Sequence, residues 1–135
     1  MFQQLGLRPP RTWTQYAANA KKCNDAGYFG SAIPYGPAAA AYRIGAMVHN
    51  YGGAYFDKNT YQPTFDDPRT KAAIRMAMDL VYTTPESVIA SGGLAAVQAM
   101  QQLNVCQMLN ATGWWSILGD PKQSPKVYDK LAIAD

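Results

Sequence analysis

Apolar residues return with helical period in four separate segments of this chain, and each segment carries its own start and stop signals. In "PPRTWTQYAANAKKCNDAG", Thr12 is placed to cap, Gln15 stands three residues later in capping-box position, and Gly27 ends the run. Trp13, Tyr16, Ala17 and Ala20 form its apolar stripe. "GPAAAAYRIGAMVHNYGG" predicts a second helix with Ala41, Ile44, Gly45 and Val48 on one face and Gly52-Gly53 as its stop. In "DDPRTKAAIRMAMDLVYTT", Asp67 caps and Pro68 fits the first turn. There Ala73, Ala77, Leu80 and Val81 face inward, Lys71 and Arg75 stay wet, and Pro85 begins a loop. "GGLAAVQAMQQL" is the fourth helix, and a short one follows at "WWSILGD".

Between the helices lie three short strand candidates, "YFGSAI", "VCQML" and "LAIA", and a turn-rich surface excursion, "AYFDKNTYQPTF". The alternation predicts an α/β lobe, rich in helix, with a short central sheet flanked by helices. At 135 residues the chain is one domain, spanning 1–135. So meagre a sheet suggests that other strands come from sequence beyond this segment. "MFQQLGL" reads like the middle of something, and "KLAIAD" like a strand cut off as it forms.

No apolar run approaches a membrane span, and the N-terminus has no secretory signal pattern. The net charge of +3 is scattered, with Lys21-Lys22 the one basic doublet, which argues against nucleic acid as a partner. Cys23 and Cys106 lack CxxC spacing and there is a single histidine, so no metal site is expected. Two small buried thiols is the reading taken, with a disulfide open if the parent is exported. His49 sits at a helix end with no nucleophile placed for it, and Asp66-Asp67 serve the helix start before Pro68. Glu86 follows a proline as a solvated charge, and no glycine-rich phosphate loop is present. The expectation is no enzyme, no catalytic residues and no cofactor.

Aromatic residues at the ends of elements remain. Tyr35 follows "SAIP" directly, Tyr42 lies a turn into the next helix, and Trp114-Trp115 follow "VCQML". Ligands of open α/β sheets settle beyond the carboxyl ends of the strands. An indole face beside Asn110, Thr112 and backbone amides suits a sugar, which has an apolar C–H face and a hydroxyl rim. Two adjacent tryptophans cannot both enter one core, so one of them is expected at the water.

In order along the chain stand "LGLRPPRTWTQYAANAKKCNDAG", "YGG", "FD", "PTFDDPRTKAAIRMAMDLVYTTP", "AVQAMQQLNV", a Gly-Trp turn and "DPKQSPKV". Together they resemble the extracellular solute-binding proteins of sugar ABC importers, the maltose-binding-protein-like family. The resemblance implies the two-lobe periplasmic-binding-protein fold, with this chain as most of the first segment of the second, C-terminal lobe. It implies non-covalent capture of a sugar or related polyol between the lobes and delivery to a membrane permease. A periplasmic or extracellular, membrane-tethered parent is implied as well. Trp114 or Trp115 then matches the family's stacking tryptophan, the choice staying open, and Tyr35 matches a cleft aromatic. Asn50 and Gly53 fall near a glycine-rich turn at the cleft edge. Leu103 departs from a common glycine and Cys106 from a small residue such as alanine, which bears on stability and not on binding. The alternative is a self-associating interaction module whose exposed aromatics meet protein.

Overall fold

A computed structural model of the chain describes residues 1–134; Asp135, the last residue of the "KLAIAD" segment, lies outside them. Helix α1 spans Trp13–Asp25, and the Thr12 hydroxyl accepts from the Gln15 N–H at 3.2 Å. The reciprocal half of the capping box is displaced by one residue, because Gln15 Oε1 accepts from the Arg11 N–H at 2.7 Å. At the far end Gly27 takes φ +84°. Its N–H reaches the Asn24 carbonyl, and the Tyr28 N–H reaches that of Cys23, both at 3.0 Å, the paired bonds of a Schellman stop.

Helix α2 (Pro37–Asn50) starts on proline, as does α3 (Pro68–Val81), where the Asp67 carboxylate accepts from the Arg69 N–H at 2.8 Å. On α2 the buried face is Gly45, Met47 and Val48; Ile44 is half-buried, and Ala41, expected inside, is exposed. On α3, Ala73, Ala77 and Leu80 are buried, while Lys71 and Arg75 are exposed. Pro85 does not begin a loop. Its carbonyl accepts from Val88 and Ile89, which closes a four-residue helix α4 (Glu86–Ile89). Helix α5 (Gly93–Gln101) follows, then a single 3₁₀ turn (Thr112–Trp114) running into α6 (Trp115–Leu118).

The expected central sheet shrinks to two parallel bridges, Phe29 with Val105 and Ala32 with Met108. A continuous ladder would advance by two residues, whereas here both segments advance by three. The reason lies at Gly30-Ser31. The Gly30 N–H turns to the Asn24 side chain at 2.7 Å and the Ser31 N–H to the Thr83 carbonyl at 2.9 Å, so neither feeds the ladder. Gly30 is required there by the approach of α1, since a Cβ would fall 2.2 Å from the Ala20 carbonyl oxygen. The expected strand "LAIA" is absent from residues 131–134; Leu131 packs beside Leu118 and Val127 instead. The 54–65 excursion is a surface loop with one antiparallel bridge, Phe56 with Pro63.

Consecutive residues of the extended segment point to opposite faces, and this divides the core. Ile33 joins Tyr16, Ala20, Met47, Val48, Ala73, Ala77 and Leu80 between α1, α2 and α3. Its neighbour Ala32 joins Val88, Ala96, Ala99 and Val105 on the side of α4 and α5. Helices thus cover both faces of the parallel pair, as in an α/β layer. Cys23 and Cys106 are not free thiols. They form a disulfide that fastens the last turn of α1 to the second extended segment, 83 residues away.

Candidate functional site

Because the two bridges are parallel, the carboxyl ends of both extended segments emerge at one edge. The first leads into Tyr35-Gly36 and α2, the second into Asn110 and the tryptophan turn. The loop after the first segment is tied to α4, with the Tyr35 N–H donating to the Ile89 carbonyl at 2.9 Å.

Asn110 organises the other exit. Its amide donates to the Gly93 carbonyl at 2.8 Å, at the first residue of α5. Its Oδ1 accepts from the Ala111 N–H at 3.0 Å and from Arg43 Nη2, which reaches across from α2. Above Gly93 the Trp114 indole nitrogen and Asn110 Oδ1 converge: a Cβ there would lie 2.6 Å from the first and 2.9 Å from the second. Trp114 is half-buried against the cluster of Val97, Met100, Leu118 and Val127. Trp115 turns outward, 39% exposed, with its indole edge over Gly119. One indole anchors the turn and the other meets water.

An open trough of about 1650 Å³ begins at this edge and runs along the outer side of residues 106–109. Asn50, Asn110, Thr112, Trp114 and Trp115 all line it, together with parts of the N-terminal segment and of residues 129–134. Three other expected residues lie elsewhere. Tyr35 is half-buried against the α1–α3 core, and its hydroxyl donates to the Ala77 carbonyl at 2.7 Å. Burial raises its phenol above the ordinary range, with Tyr16 adding to the effect. Tyr42 is 74% exposed on α2 and away from the trough. Gly53 serves packing: a Cβ would sit 2.6 Å from the Thr70 hydroxyl at the start of α3.

Two residues escaped the sequence reading. Arg43 looks like any helix-surface cation, and Gly93 like an ordinary helix start; nothing in "AAYRIG" or "SGGLAA" announces that Asn110 joins them. Burial pulls the Arg43 guanidinium down from its usual value.

The model of the bacterial extracellular solute-binding protein family matches residues 1–135, the whole chain. No curated protein and no solved structure matches it significantly. The family's role is solute binding in transport, it is generally non-enzymatic, and it is periplasmic or extracellular. Among the described residues no helix is long and apolar enough to cross a membrane. A disulfide between Cys23 and Cys106 suits the oxidising space outside the cytoplasm. A helix-rich domain with little strand, matched over its full length, makes this chain a member of the bacterial extracellular solute-binding proteins.

Proposed function

We propose that the chain forms most of the first segment of the second lobe of a sugar-binding receptor, and that it supplies half of an interlobe site. The observation that carries this reading is the gathering of Asn110, Thr112, Trp114 and Trp115 at one end of the trough, beyond the carboxyl end of the second extended segment. The exposed Trp115 ring is the stacking platform for the apolar face of a sugar or related polyol. Trp114 Nε1, the Thr112 hydroxyl and the Asn110 side chain address its hydroxyl rim. Asn50 contributes from the side of the trough. Tyr35 and Gly53 contribute through packing, and Tyr42 stands outside the trough. The second lobe closes over the solute, and the closed receptor delivers it to an ABC permease.

Half a site lacks enclosure, so this chain alone binds in the millimolar range. The test is a titration with mono- and disaccharides, following tryptophan emission and the indole N–H resonances. Saturable shifts that disappear in Trp115→Ala support the reading. Micromolar affinity for the isolated chain, or shifts that survive Trp115→Ala, overturn it.

One observation favours a second reading. Among the described residues the N–H of Met108, which lines the trough, has no backbone partner, so one ladder position of the trough is unpaired. Association of two copies through that position would appear as a mass that rises with concentration in light scattering, indifferent to sugar.

A further inference from the structure

Among the described residues Arg43 is a cation without a counter-ion. Among the described residues the ion pairs are Lys21 with Asp25, Arg69 with Asp67 and Lys130 with Asp129; no carboxylate pairs with Arg43. The side chain is nonetheless half-buried, and its Nε is fully enclosed with no hydrogen-bond partner. Its one bond goes to a neutral acceptor, Asn110 Oδ1. A guanidinium in that position keeps its charge while it loses part of its hydration, and a neutral amide does not compensate for that.

The surroundings add to the positive field. Gly36 precedes the first residue of α2 and Gly92 that of α5, and neither start has a side-chain cap. The two starts adjoin, since a Cβ on Gly36 would lie 2.8 Å from the Ser91 carbonyl oxygen, one residue before Gly92. Two uncapped N-termini, each with free N–H groups and the positive end of a helix dipole, thus flank the loop between α4 and α5. Asn110 links this loop to the trough, bonding Gly93 with its amide and Arg43 with its oxygen.

We infer that the solute is a sugar bearing an anionic group, a carboxylate or a phosphate, which takes the place of the missing counter-ion of Arg43 beside Asn110 and Gly93. The inference rests on the sugar-site reading above and narrows it. The sugar ring stacks on Trp115, and the anion reaches Arg43 by drawing it from Asn110 Oδ1 or by joining it there. A planar guanidinium offers two parallel N–H bonds to either group.

The test is an amide and indole NMR titration of this chain with D-glucose, D-glucuronate and D-glucose 6-phosphate at equal ionic strength. The charged sugars are expected to bind about tenfold more tightly than glucose, the worth of a charge-assisted bond. Their shifts centre on Gly93, Asn110, Ala111 and the Trp114 indole, and comparison of the two separates carboxylate from phosphate. Arg43→Gln abolishes the difference between charged and neutral sugars, and Arg43→Lys keeps part of it. Should Arg43→Gln fail to fold, Asn110→Asp places a carboxylate beside the intact guanidinium and is expected to abolish the same preference. Equal affinity for glucose and its charged counterparts overturns the inference and leaves the sugar site standing. Absence of any site-centred shift with all three sugars overturns both.

Discussion

Gly93 and Trp114 are matched as a bare backbone and the indole nitrogen above it: a Cβ on Gly93 would lie 2.6 Å from Trp114 Nε1. Asn110 Oδ1 stands 2.9 Å from the same point, so one methyl group would displace both polar atoms of the proposed site. Gly93→Ala is therefore expected to cost about 1–3 kcal/mol through overpacking. Urea unfolding measures that cost, and a shift of the Trp114 indole resonance reports the displacement. Sugar binding by the variant is expected to vanish while the far-UV spectrum stays unchanged.

The disulfide has a larger effect. It closes a loop of 83 residues between α1 and the second extended segment, which is also held by two bridges, by the Gln107 amide donating to the Tyr16 carbonyl and by the burial of Val105. On the loop-entropy scale such a link is worth about 4 kcal/mol. The paired replacement Cys23→Ala/Cys106→Ala should lower the urea midpoint accordingly. Reductant should shift the wild-type protein toward that midpoint and leave the variant unmoved.

Leu103 follows the last turn of α5 with φ +58°, a conformation that suits glycine and strains a leucine. Relief of strain, offset by the greater freedom of glycine in the unfolded chain, gives Leu103→Gly a net gain of about 0.5–1 kcal/mol. A rise in thermal midpoint checks it; a fall would mean that the exposed leucine side chain contributes more by its contacts than the backbone loses by strain.

Acid should weaken the start of α3. The Arg69 side chain, then its backbone N–H, hold the Asp67 carboxyl down at about 2, against an ordinary 3.8. A carboxyl depressed by folding stabilises the fold above its unfolded value, and that contribution is lost as pH falls through the folded one. The window runs from about pH 4 down to pH 2. Asp57 and Asp120 are depressed in the same direction by their own turn hydrogen bonds, so the measurement is a difference. The stability gap between wild type and Asp67→Asn should be widest near neutrality and close across that window.

What could be read in advance follows from how local each signal was. Helices α1, α2, α3 and α5 rest on caps, prolines and spacing within their own segments, and they stand where those signals place them. The sheet depends on partners: the Ser31 N–H goes to Thr83, more than fifty positions on, and no periodicity in "YFGSAI" discloses it. The four-residue α4 is too short to have a period of its own. Trp114, Trp115, Asn110 and Thr112 were legible as a cluster because they are neighbours in sequence after one extended segment. Arg43 and Gly93 were not, for each acquires its role from Asn110, 67 positions from the arginine. The pairing of Cys23 with Cys106 likewise depends on the packing of α1 beside the second extended segment.

The covalent link has a further consequence for the exposed 54–65 excursion, which carries Lys58 between exposed Phe56 and Tyr61. That excursion lies inside the loop closed by Cys23 and Cys106. A protease that cuts beside Lys58 would open the polypeptide without releasing either piece, since α1 would stay bonded to the segment that leads to the tryptophans. Such nicked molecules would migrate as intact mass until the sulfurs are separated, and only then fall into two.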